Sequence, residues 1–94
     1  MTELVWRVEL VVLPKDGVND PQGEAVKGGL GKLGHSTIER VRVGRHLQLD
    51  IRGTSESEVR AQVKLMADQL LANQVIEQSS ISAMFVLRSG EATG

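Results

Sequence analysis

Leu4-Val5-Trp6-Arg7-Val8-Glu9-Leu10-Val11-Val12-Leu13 has the period of a β-strand: Leu4, Trp6, Val8, Leu10 and Val12 make one face wholly apolar, while Arg7 and Glu9 share the other with Val5, Val11 and Leu13. The first face is predicted to be buried. The partly apolar second face marks a central strand whose far side is also covered at one end.

Working outward, residues 37–44 and 47–52 read as two more strands around Gly44-Arg45-His46. A two-residue turn would set Leu47 and Leu49 opposite Arg42 and Arg40. A three-residue loop instead pairs Val43 with Leu47 and Val41 with Leu49, and is preferred. Arg40 and Arg42 then face outward, and the charge of 37–44 marks an edge strand or a surface used by a partner. Residues 75–87 return as a last strand, with Ile81, Ala83, Phe85 and Leu87 on one side.

Two helices separate these strands. Asp20-Pro21 supplies an N-cap acceptor followed by the residue best tolerated at the first helical position, and Gly34 is a ready stop, so the first helix covers residues 21–34. Its apolar residues are Ala25, Val26, Leu30 and Leu33. Gly28, Gly29 and Gly31 each weaken it by about 1 kcal/mol relative to Ala, so packing must hold it, and bare backbone there invites close approach by another element. The second helix opens with a capping box, Ser55 with Glu58, ahead of Val59, Val63, Met66, Ala67, Leu70 and Leu71. Asn73 is read as its left-handed stop. The order βαββαβ predicts an α+β, ferredoxin-like fold: a four-stranded antiparallel sheet with two helices on one face. One domain spans residues 1–88, and 89–94 form a flexible tail.

Eleven basic and twelve acidic residues leave a net charge of −1, which gives no footprint for nucleic acid or an anionic membrane. No apolar run approaches the roughly 20 residues that cross a bilayer, there is no cysteine, and Met1-Thr2-Glu3 lacks a basic leader, so a cytoplasmic protein is expected. RNA recognition on the sheet needs aromatic platforms on the two central strands, and the strand periods of Trp6 and Phe85 put both on core faces.

Gly29-Leu30-Gly31-Lys32-Leu33-Gly34 matches a dinucleotide-binding pattern, but it ends a helix instead of opening one after a strand, so it is read as a helix end packed against something close. His35 and His46 lie beside turns without ligand-spaced companions, and Asp16 and Asp20 are explained as a turn former and an N-cap. No serine sits in a nucleophile elbow. From the residues alone, a dimeric small-metabolite-binding regulatory module of ferredoxin-like fold stays open beside a purely assembling subunit, because such sites can use backbone groups and glycine turns.

Three strings carry a resemblance: Asp20-Pro21-Gln22-Gly23, Val41-Arg42-Val43-Gly44-Arg45, and Leu70-Leu71-Ala72-Asn73 followed by Val75-Ile76-Glu77. In this order and spacing the chain resembles the PurS family, small subunits of phosphoribosylformylglycinamidine (FGAM) synthase. Departures are Arg45, where the family usually has lysine, and Ser79-Ser80, in the stretch where it often has tyrosine. The resemblance implies a non-catalytic subunit of a glutamine-dependent ATP ligase of purine biosynthesis, which converts formylglycinamide ribonucleotide, glutamine and ATP to formylglycinamidine ribonucleotide, glutamate, ADP and phosphate. A glutaminase subunit would release ammonia, and a large synthetase subunit would use ATP and magnesium. This chain would bind no cofactor. As a homodimer or dimer of dimers, intertwined by segment exchange, it would bridge the two and assist ammonia transfer. The contact surfaces expected on this reading are Asp20, Pro21, Gln22 and Gly23 at the helix start, Arg42, Gly44 and Arg45 in the hairpin, and Asn73 at the turn.

Overall fold

The computed structural model describes residues 3–89. Three antiparallel strands, β1 (Leu4–Pro14), β2 (Arg45–Gly53) and β3 (Glu77–Ser89), form a sheet in the order β2-β1-β3, with helices α1 (Pro21–Lys32) and α2 (Glu56–Met66) in the connections. The first strand is central, as its two-faced sequence requires. Val8, Leu10 and Val12 on its apolar face are buried against Val59, Val63, Ala67 and Ala72 from α2 and the turn that follows. Leu47, Leu49 and Ile51 of β2 and Ile81 and Met84 of β3 flank this core.

The ferredoxin-like class therefore holds, with a correction in strand number. Residues 37–44 form no strand. Leu47 and Leu49 pair with Leu10 and Val8 of β1, and not with Val43 and Val41 across a hairpin. The physical reason lies in where the 37–44 segment sends its polar groups. Arg40 and Arg42 turn to Asp16, at 2.6 and 3.7 Å, and the Val43 N–H donates to the Asp20 carboxylate at 3.0 Å. These bonds tie the segment to the loop after β1 in place of a ladder.

The expectation of two helices on one face also needs correction. Only α2 packs on the sheet, whereas α1 buries Gly23 alone and leaves Val26 44% and Leu33 76% exposed. Four glycines in twelve residues leave α1 few side chains to bury. The molecule is accordingly elongated, 56 × 27 × 21 Å, with a radius of gyration of 17.5 Å against roughly 12 Å for a compact chain of this length. The helix itself ends as read, two residues early: the Gly34 N–H donates to Gly31 and the His35 N–H to Leu30, with Gly34 at φ +98°.

The end of α2 departs further. Residues Ala67–Leu71 widen into a π-helical turn closed by the Ala72 N–H on the Ala67 carbonyl at 3.0 Å. The wide turn brings Ala72 inside and leaves Leu70 83% exposed, so Leu70 is not a core residue. Asn73 is not left-handed, because no residue but glycine has positive φ among those described. Its side-chain oxygen accepts from the Val75 N–H and its carbonyl from the Ile76 and Glu77 N–H groups, which makes a tight turn into β3.

In β3, bulges at Ser82 and Leu87 shift the register, so that Ile81, Met84 and Val86 oppose Leu10, Val8 and Trp6, while Ala83 and Phe85 oppose Glu9 and Arg7. Phe85 consequently lies on the outer face, 46% exposed, and not in the core. Trp6 stays on the core side, its indole N–H donating to the Gly53 carbonyl. Ser89 belongs to β3, and the rest of the expected tail, 90–94, lies outside the described residues.

Candidate subunit-contact site

The expected contact residues converge on one end of the sheet, where β1 stops and β2 and β3 begin. Asp20 is the anchor. One carboxylate oxygen caps α1 by accepting the Gly23 N–H at 3.0 Å, and the other accepts the Val43 N–H at the same distance. These two backbone bonds, Gly23's first, hold the Asp20 carboxyl below the usual carboxylate range. Gly23 and Gly44 have a steric reason to be glycine: a Cβ on Gly23 would collide with the Val41 carbonyl oxygen, and one on Gly44 with the Val12 carbonyl oxygen. The Asp20-to-Gly23 signature thus clamps the start of α1 onto the crossing segment. Pro21 and Gln22 are exposed beside it.

Arg42 reaches the Pro14 carbonyl at 3.3 Å as well as Asp16. The Arg40 guanidinium bonded to Asp16 is the main reason that the Asp16 carboxyl sits low. Across the end of the sheet, Arg45 donates to the Leu71 carbonyl at 2.8 Å and to Glu77 at 2.9 Å, and the same Glu77 oxygen accepts the Asn73 N–H at 2.8 Å. Lys15 completes this junction through the Gln74 carbonyl at 2.6 Å. Arg45 and Asn73 therefore meet through Glu77, while Asp20 and Gly23 form a second knot, and the 42–44 segment joins the two. Sequence reasoning missed the hub residues Glu77, Val41 and Val43. Glu77 was visible as the last residue of the Val75-Ile76-Glu77 string, but its role depends on the Asn73 turn, which was read with the wrong backbone.

Two open grooves adjoin this end. One of about 490 Å³ lies between α2 and β3, with Leu10, Val63, Ala67 and Ile81 on its apolar side and Lys15 and Lys64 at its rim. A smaller one of about 250 Å³ lies between the 14–20 loop and residues 40–42. Among the described residues no group of three or more His, Asp or Glu side chains is placed to hold a metal ion, and no helix is long and apolar enough to cross a membrane. The glycine pattern at 29–34 is α1 interior and helix end, as the context predicted. Among the described residues, nothing beyond the helix's own nearby backbone lies within 4 Å of a Cβ built at Gly28, Gly29 or Gly31, so the close packing expected there is not found among them.

Fold and site together define a small α+β subunit whose distinctive residues serve to fix its segments in place. The family described as PurS, phosphoribosylformylglycinamidine (FGAM) synthase, matches residues 7–84. The chain is 38% identical over 76 residues to the FGAM synthase subunit PurS of Mycobacterium leprae, covering 81% of this chain and 92% of that one. It is 38% identical over 72 residues to the Synechocystis subunit PurS, covering 77% and 72%. The solved structure of Thermus thermophilus PurS superposes with a TM-score of 0.75 at 37% identity, covering 86% of this chain and 95% of that one. The chain belongs to the PurS family, and so is a subunit of FGAM synthase, the glutamine-dependent ligase complex of purine biosynthesis.

Proposed function

We propose that this subunit works as a homodimer, or a dimer of dimers, that bridges the glutaminase and synthetase subunits of FGAM synthase and helps ammonia pass between them. The observation that carries the reading is that one chain makes an incomplete fold. Helix α1 stands away with Val26 and Leu33 exposed, while the groove between α2 and β3 leaves apolar surface uncovered. A 12-residue helix with three interior glycines does not persist alone in water. A second copy exchanging α1 would cover both surfaces, with the glycine backbone allowing close approach. Asp20, Pro21, Gln22, Gly23, Arg42, Gly44, Arg45 and Asn73 are assigned to subunit contacts, directly where exposed and otherwise by fixing the direction in which α1 leaves the sheet. On this reading ATP and magnesium belong to the synthetase subunit, this chain holds no cofactor, and the assembly is cytoplasmic.

The test is reconstitution. Adding the chain to the other two subunits should raise glutamine-dependent FGAM synthesis while leaving synthesis from free ammonia nearly unchanged; equal glutamine-dependent rates with and without it would end this reading. A small-metabolite-binding module would use the same groove, so a ligand that raises the melting temperature of the isolated chain would favour that alternative.

A further inference from the structure

At the opposite end of the sheet, the outer face collects arginines from all three strands. The register sets Arg52 of β2 and Arg88 of β3 on either side of Val5, and in the next row sets Asp50 and Phe85 on either side of Arg7. Residues directly opposite in a ladder share a face, so these side chains form one patch. Arg7 is held by a bidentate ion pair to Asp50, at 3.0 and 3.1 Å. The side chains of Arg52 and Arg88 make no hydrogen bond or ion pair among the described residues, Arg88 acting on Asp50 only through its charge, and both are exposed. Two like charges thus sit on one face, around a buried valine and beside an exposed phenylalanine, while the Asp50 carboxylate of the next row is bonded to Arg7.

We infer that this face, Arg52 and Arg88 around Val5 with Phe85 alongside, is a docking surface for an acidic patch on a partner protein. Charge complementarity supplies the attraction, and arginine and aromatic residues are enriched at protein interfaces. The shape decides between a protein and a small anion. None of these residues lines either groove described above, and a ligand-sized site is concave. The inference rests on the reading of the chain as an assembling subunit and names one of its contact faces, distinct from the signature end.

The experiment measures binding of the full chain to each of the other two FGAM synthase subunits as salt is raised, for the wild type, for Arg52→Glu with Arg88→Glu, and for Arg52→Gln with Arg88→Gln. The expected result is that affinity for one of the two subunits falls at least about tenfold on charge reversal and less on neutralisation, with a flatter salt dependence. Unchanged sedimentation of the isolated variants separates a lost contact from a lost fold. Equal binding by wild type and variants overturns the inference alone. A wild type that binds neither subunit overturns the assembling reading and this inference with it. A nucleoside triphosphate that binds the wild type and not the charge-reversed chain, with subunit affinities unchanged, overturns it in favour of a small anion.

Discussion

Helices α1 and α2 begin in the same way and finish differently. Asp20 caps one through the Gly23 N–H and Ser55 caps the other through the Glu58 N–H, yet α2 buries Val59 and Val63 while α1 buries no side chain. Capping decides where a helix starts. Whether it packs depends on the side chains that follow, and there α1 has Gly28, Gly29 and Gly31 where α2, counted from its cap, has Val63, Lys64 and Met66. Helix α2 belongs to this chain's core; α1 buries only Gly23 and leaves Val26 exposed.

The largest test of that contrast is Leu10→Ala against Leu33→Ala. Emptying the Leu10 site under α2 should cost about 2–5 kcal/mol in urea unfolding. Leu33→Ala should cost under about 0.5 kcal/mol in the dilute chain and show instead as weaker self-association in sedimentation. Comparable losses in both would remove the distinction. Next in size is Gly44→Ala, whose methyl meets the Val12 carbonyl and should destabilise by about 1–3 kcal/mol in the same assay. Gly28→Ala, in open space, should do the reverse and stabilise by about 0.4–1 kcal/mol. If it also impairs dimer formation, the bare backbone of α1 is itself a contact.

The smallest effect is confined to Asp20. Because its native carboxyl is shifted down, its contribution is complete above the unfolded value of about 4 and is lost as pH falls through the lower native value. Melting temperature against pH should place Asp20→Asn below the wild type at neutral pH, since an amide offers one acceptor to two N–H groups. The gap should narrow below about pH 4; a constant gap would mean that the charge is immaterial.

What was legible in the chain followed local rules. The alternation of residues 4–13, the caps at Asp20 and Ser55 and the stop at Gly34 depend on near neighbours, and all stand in the structure. The errors arose where one residue's partners were distant or an extra residue shifted the count. Leu70 and Phe85 were placed in the core because a π-turn and a bulge at Ser82 leave no mark in periodicity. Val41 and Val43 have the alternation of a strand, but Asp16 and Asp20 draw that segment away. The resemblance gave three separate contact surfaces, at Asp20 to Gly23, at Arg42 to Arg45 and at Asn73, and their linkage through Glu77 and Asp20 appeared only with the fold.

The pairing of Leu4 with Ser89 has a mechanical consequence. The first and last described strands run antiparallel and finish side by side, so traction applied to both of these ends would open the ladder one rung at a time instead of loading all its bonds in shear. Held by those two points the sheet should unzip at low force, whereas a pull between Leu4 and Glu77, at opposite ends of the same pair, should meet far greater resistance.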